Sequence, residues 1–423
     1  MGPNSFLTTD WFSMTMLRLL TNPLEVTMFL NTRFNKDFQK EFAVGATVNI
    51  KYPPQFLIRD GMTWTPIGIS EIQTVVNCDQ AFGVDFTWTD LEAALNLERG
   101  DDRISDLYIR GPLAQIAQEW DSRSAFFCKN NLNNIVGVLG TNPTTFQAYS
   151  NAARQRVVEM AGDVPGKNGI IIPPSVNTSL AAPAAGTTAQ FHPGDEISRQ
   201  YKKGFIGVQA GYSWHESMSL YDHTAGTWAG AVTVNGAGQS GNSLTITATA
   251  GDTFLIGDVV GIGAVFNANP RTRRRTNSAF TKTVVITADL TAAGGGADVI
   301  NFTPAIYGPG SPYQNVTGLP LNGATLTLFP GTVSPNGLTG KNGLLLNGGG
   351  STDAAAITIV NVPLELPKNE QIARQQRHPE TGMGVRLVKF WDPVESRMGW
   401  RFDTLGGYGI LYNDSCGCRL LSA

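Results

Sequence analysis

GDVVGIGAVFNANPRTRRRTNSAFTKTVVITADL, residues 257–290, sets two apolar runs on either side of a loop. That loop has four arginines in five positions: Arg271, Arg273, Arg274 and Arg275. The flanking runs, 254–263 and 282–290, are rich in valine and isoleucine and bounded by turn residues, so they read as strands. Similar runs occur at 243–250, 298–305 and 324–330, separated by turn clusters at Gly238–Asn242, Gly294–Gly296 and Gly308–Ser311. Short strands at this spacing are the signature of a small β-barrel or sandwich. The texture changes on both sides of 225–332, so the β block is inserted into a larger domain rather than appended to it.

Upstream, the first 40 residues read as helical. Asn22 is a candidate N-cap, Pro23 fits N1 and Glu25 fits N3. From Thr47 the pattern becomes β. TVNIKYPPQFLIRDG (47–61) is interrupted by Pro53-Pro54 and closes on the turn signal Asp60-Gly61. GVDFTWTD (83–90) alternates Val84, Phe86 and Trp88 with Asp85, Thr87 and Thr89, the period of a half-buried strand. Residues 44–90 therefore read as a long two-stranded excursion. Two strands alone are marginal in water, so this one must lie against something else, a neighbouring molecule included.

Gly111-Pro112 opens the longest helix, with Leu113, Ile116, Ala117, Trp120, Phe127 and Ile135 on one stripe, and polar Ser124 and Asn131 among them. Some 26 residues at about 1.5 Å each would span about 40 Å. A second helix begins at Asn142-Pro143, presents Phe146, Tyr149, Ala153, Val157 and Met160, and stops at Gly162. NGIIIPPSV (168–176) is a short buried strand. AAAITIVNVPLEL (354–366) and GVRLVKFWDP (384–393) are strands, and WRFDTLGGYGILYND (400–414) follows them.

With 31 Lys+Arg against 34 Asp+Glu, the net charge of -3 argues against wrapping DNA over a broad face, which needs many cations to displace counterions. Charged residues make up only 15%. A low charge count with abundant glycine fits a β-rich protein whose surface is covered by other subunits, and fits an oligomeric enzyme nearly as well. No apolar run reaches the length of a membrane span. The N-terminus has no secretory signal pattern, and Phe6 stands where a myristoylation signal has Ser or Thr. Cys78, Cys128, Cys416 and Cys418 form no C-x-x-C pair and are read as reduced.

Nucleotide-binding, serine-hydrolase and zinc-protease motifs are missing. Gly261-Ile262-Gly263 lacks a third glycine and a following helix. HESMSLYDH offers His215, Glu216, Asp222 and His223, but the spacing fits no standard metal site. Cys416 and Cys418 read as small buried hydrophobes, and Asp101-Asp102 as partners of a helix N-terminus. The expectation is a protein that is not an enzyme, with no catalytic, cofactor-binding or metal-binding residue. The arginine run admits three readings: forks on phosphate, pairing with carboxylates of another subunit, or a solvated loop. It is short and lacks an aromatic platform beyond Phe266 and Phe280, which favours the subunit contact.

The colinear order of these segments resembles the major capsid proteins of tailed double-stranded-DNA phages, the Johnson fold. More closely it resembles the coat proteins of short-tailed phages of the Salmonella-phage type, which carry an inserted β-barrel. TVNIKYPPQFLIRDG is similar to that family's extended-loop strand and GVDFTWTDLEAAL (83–95) to its return strand. DRISDLYIRGPLAQIAQEWD (102–121) is similar to the run into its spine helix, 257–290 to the inserted domain, and TGMGVRLVKFWDP and FDTLGGYGILYND to the closing segments.

The resemblance implies an α+β fold in six parts. These are an N-terminal helical arm (1–43), an extended hairpin loop (44–98), a peripheral domain with spine helix (99–140), an axial and peripheral α/β body (141–224), the inserted barrel (225–332), and completion of the axial and peripheral domains (333–423). It implies a structural protein whose copies form the pentamers and hexamers of an icosahedral shell. The implied partners are a scaffolding protein during assembly, a portal at one vertex, and packaged double-stranded DNA bound without sequence specificity, with no membrane. The location would be the virion, after assembly in the host bacterial cytoplasm. Expansion of the shell would move the arm and hairpin, and Arg271, Arg273, Arg274 and Arg275 would reach an adjacent subunit. The alternatives are another virion component, such as a tail or decoration protein, or an oligomeric enzyme with an accessory β domain.

Overall fold

The strand Arg397–Ile410 organises the body of the protein. The computed structural model describes residues 24–36, 47–89, 110–143, 146–181, 207–276, 281–329, 337–368, 372–377 and 383–423, apart from the single positions 60, 65, 67, 70, 210, 351 and 353. Within them, Arg397–Ile410 is the centre of an antiparallel sheet ordered 47–51, 73–89, 397–410, 384–392, 372–377, with Ile357–Asn361 joining its far half. Val84 faces Phe402 across the strands and Phe86 faces Trp400. The strand period puts these aromatic side chains on one face, while Asp85 and Thr87 are exposed on the other.

The two-stranded excursion is shorter than the sequence suggests. Thr47–Lys51 pairs with Gln73–Asn77, while on its other side the return strand pairs with Arg397–Ile410 at Asn77 and again, after a register shift, from Gln80 onward. The alternating residues Val84 and Phe86 thus bury themselves on the body sheet, not on the outgoing strand. What projects is 52–72.

The long helix, Arg110–Asn131, lies across the aromatic face with Leu113, Ile116, Ala117 and Trp120 fully buried. Trp120 packs on Phe82 (4.9 Å between centroids) and donates its indole N–H to Thr404 Oγ1 at 3.2 Å. Gly406 leaves no room for a side chain: a Cβ there would sit within 2.3 Å of the Val360 carbonyl and 2.6 Å from the Trp120 ring. The helix ends before Ile135, which belongs to the strand Ile135–Gly137. The asparagines between explain the break. Asn131 Nδ2 turns back to the Phe127 carbonyl (2.8 Å), and Asn133 and Asn134 bond outward to Thr283 O and Asp414 O.

Residues 24–36 form two 3-10 turns, Thr27–Phe29 and Arg33–Lys36, where a continued helix was expected. The Asp121 carboxylate accepts the N–H of Val26 (2.7 Å) and Thr27 (2.9 Å), and Asn31 bridges to Thr358 and Gly350. Tertiary partners override the local helix signal, and Val26, Phe29 and Leu30 join the core. The remainder of the expected arm lies outside the described residues, as does all of 182–206.

A second sheet runs in the order 135–137, 417–421, 339–349, 167–172, 212–216, 208–209. The second helix, Phe146–Glu159, covers it with Tyr149, Ala153 and Val157. The inserted block is a closed barrel of strands 259–266, 281–286, 298–306, 241–247, 232–234 and 325–328, its interior filled by Val260, Ile262, Val284, Ile300 and Leu326 among others. Its entry strand, Asp222–Thr224, pairs antiparallel with its exit segment, Thr339–Lys341. The barrel therefore hangs on two adjacent strands, the geometry of an insertion. Among the described residues no helix is long and apolar enough to cross a membrane.

Candidate assembly surface

The excursion between the two hairpin strands exposes Phe56, Ile58, Met62, Trp64 and Ile69, with Met62 97% accessible. Scattered apolar residues on a surface mean little, but five on one projecting segment form a patch of the kind that a partner covers. Pro53 and Pro54 cannot donate backbone hydrogen bonds, so the ladder stops at Tyr52, whose N–H meets the Ile72 carbonyl at 2.9 Å. Beyond that point none of the segment's described residues has a strand partner to cover it.

The arginine loop joins barrel strands Val259–Phe266 and Thr281–Ile286, as the sequence indicates. It folds against the rest of its own chain. Asn269 Nδ2 donates to the Glu159 carbonyl at the end of the second helix (2.7 Å), and Asn269 Oδ1 accepts the N–H of Arg271 and Thr272. Arg273 Nη2 donates to the Phe56 carbonyl of the excursion at 2.6 Å and to the Pro312 carbonyl at 3.3 Å. Arg275 stacks on the Phe266 ring, 3.4 Å from its centroid. Arg271, Arg274 and Arg275 are exposed, and Arg273 is half-buried. The four arginines lie in one loop but do different things.

The neck between barrel and body is a buried polar junction. Lys282, wholly buried, is ion-paired with Asp414, which also accepts from Asn133 Nδ2 at 2.8 Å. Lys282 and Thr283 are buried because their strand has the barrel interior on one face and the body on the other. Nearby, Arg419 donates to Asn342 Oδ1 and, at 2.6 Å, to the Gly257 carbonyl. Burial holds its guanidinium down at about 10. Asp258 accepts from Leu255 N–H (2.8 Å) and Gly226 N–H (3.2 Å), and lies 2.8 Å from His223 Nε2.

These contacts disperse the conceivable metal cluster. His223 faces Asp258, Asp222 pairs with Lys341, Glu216 accepts from Asn177, and His215 packs on Phe29. Among the described residues no group of His, Cys, Asp and Glu is placed to hold a metal ion. Cys416 and Cys418 are buried, and burial drives their thiols up to about 11 and about 12, so they pack as protonated apolar groups.

His223 gives the neck a pH dependence. Burial pushes its imidazole below the usual 6.5, and the Arg419 and Lys129 charges add to that against the opposing pull of Asp258. The folded chain keeps His223 neutral where the unfolded chain would protonate it. The stability this brings is complete above about pH 6.5 and is lost as pH falls through the lower folded value. His223→Gln, which keeps a donor for Asp258, should flatten the change in urea midpoint between about pH 7 and pH 5. His215, also lowered by burial, leaves a residual slope.

No protein-family model matches the sequence, and no curated protein does. Among solved structures, the chain is similar to one of Mycobacterium phage Che8 over 94% of its own length and 90% of that chain, at 11% identity and a TM-score of 0.47. It is similar to the asymmetric unit of the bacteriophage PhiM1 mature capsid over 90% of its length and 82% of that chain, at 8% identity and a TM-score of 0.41. A third is the capsid structure of the cyanophage P-SCSP1u, matched over 90% and 85% at 12% identity and a TM-score of 0.38.

Proposed function

We propose that this chain is the major capsid protein of a tailed double-stranded-DNA phage, a structural subunit that associates with its own copies as pentamers and hexamers of an icosahedral shell. The observation that carries this reading is the excursion 52–72. It is a projecting segment on a five-residue ladder that carries Phe56, Ile58, Met62, Trp64 and Ile69 in the open. Such a segment makes sense as an arm laid over a neighbouring subunit, where its apolar side chains leave water.

The long helix is then the spine of a peripheral domain, and the second sheet with its helix belongs to an axial domain near the capsomer centre. The deep neck contacts suit a barrel carried as a rigid part of the subunit. Arg271 and Arg274, both exposed, would meet an adjacent subunit's carboxylates, with Arg275 beside them on the Phe266 ring. Each contact is modest, so errors dissolve, and many together close a stable shell. A near-neutral total of -3 avoids strong adhesion between the inner wall and packaged DNA. Scaffolding protein and portal would be the other partners, the location the virion, and the place of assembly the host cytoplasm. Because 24–36 is locked to the long helix, movement on expansion falls to the excursion rather than to that segment.

Replacing 53–71 by an Asn-Gly turn keeps the ladder from Thr47 to Asn77 and removes the patch. The subunit should retain its urea midpoint and circular dichroism, yet sediment only as free subunits or small rings. Closed shells from this variant would overturn the assignment of the arm.

A further inference from the structure

The excursion is tied to its own subunit at two places. At its base, Tyr52 Oη donates to the Leu411 carbonyl at 2.6 Å, with its ring edge-on to Tyr412. Further out, Arg273 grips the Phe56 carbonyl. Between the two ties lies a cleft of about 570 Å³, with Tyr52 and Pro53 on the excursion side and Pro270, Tyr307 and Tyr313 opposite. The excursion thus stands off the barrel with room behind it.

Arg273 is set in place by its loop. Its backbone takes a positive φ of 56°, uncommon for a residue with a side chain, and its N–H bonds to the Asn269 carbonyl at 2.7 Å. The Asn269 N–H closes the turn on Arg274 O at 2.9 Å, and the Asn269 side chain fixes the whole to the second helix. The guanidinium is therefore held out by a hydrogen-bonded turn toward the excursion. The stretch it grips follows two prolines and has no ladder of its own.

We propose that Arg273 is a latch: it holds the excursion against its own subunit before assembly and lets go when the excursion crosses to a neighbouring copy. This rests on the shell-forming reading and divides the arginine run by role. Arg273 acts within the subunit, and Arg271 and Arg274 face outward.

The test is a spin-label distance measurement between the excursion and the barrel. Labels go on Met62→Cys in the excursion and Leu321→Cys on the barrel, both exposed, in a Cys78→Ser background. The soluble parent subunit should give one narrow distance distribution. Arg273→Ala should broaden it, with the open population rising about tenfold for the loss of a charge-assisted hydrogen bond. An Arg271→Ala/Arg274→Ala double variant should keep the narrow distribution. Assembled parent shells should show the narrow distance replaced by another. An unchanged distribution in Arg273→Ala, or the original distance retained in shells, would overturn the latch. If the variants differ as expected but no condition yields shells, the contact with Arg273 stands and it is the shell reading, with the release step, that falls.

Discussion

Asp414→Ala should lower the unfolding free energy by about 3–5 kcal/mol, the cost of leaving a buried charge without its partner. Lys282 is wholly enclosed between barrel and body, and Asp414 is its ion-pair partner. Without that carboxylate the ammonium must lose its proton, a direction in which burial already pushes it, or draw water into the neck. Asn133 Nδ2 and Asn315 Nδ2, at 2.8 Å and 3.4 Å from the Asp414 carboxylate, lose an acceptor as well. The reverse change should be milder. Lys282→Met puts an apolar chain in an apolar strand and leaves Asp414 with Asn133 and some contact with water, since its side chain is 17% exposed. Urea unfolding of the two variants decides it. An equal or larger loss in Lys282→Met would contradict this account of the neck.

Trp120→Ala should cost about as much, roughly 3–5 kcal/mol, by emptying the space where the long helix meets the body sheet. Its ring packs on Phe82 and Tyr408 and fills the room left by Gly406. The site cannot close, because the glycine backbone beneath it is pinned by pairing on both sides, to Gln80 and to Asn361. Trp120→Phe should lose much less. It keeps most of the packing, and Thr404 Oγ1 still accepts from Asn361 Nδ2 at 2.9 Å and donates to the Gly384 carbonyl at 3.1 Å. Thermal unfolding of both variants checks the order, and an alanine variant as stable as the phenylalanine one would show that Trp120 is not the keystone of this layer.

The barrel was legible because each of its main strands carries its own apolar run and ends in its own turn. The return strand announced itself by alternation at Val84 and Phe86, and the second helix by Tyr149, Ala153 and Val157. Thr339–Gly349 was not legible. TGKNGLLLNGG is broken by glycines and asparagines, yet it is a central strand, made so by Gly417–Leu421 on one side and Lys167–Ile172 on the other. Such pairing is non-local and overrides propensity. The same holds for 24–36, where Asp121 takes the backbone donors that a helix would have used. For the neck, one clue was visible: Lys282 sits in TKTVVI, a charge within a β-branched run. Its partner lies 132 residues away, and nothing in the spacing points to it. The four arginines were visible as a group, but their division was not, because it depends on tertiary contacts: the Phe56 carbonyl for Arg273 and the Phe266 ring for Arg275.

The most direct test of the shell-forming reading is to purify the full chain, concentrate it under assembly conditions, and examine it by negative-stain electron microscopy alongside sedimentation velocity. The account predicts closed shells, or capsomer-sized rings in equilibrium with subunits. A single small oligomer of fixed stoichiometry that forms neither at any concentration would contradict it.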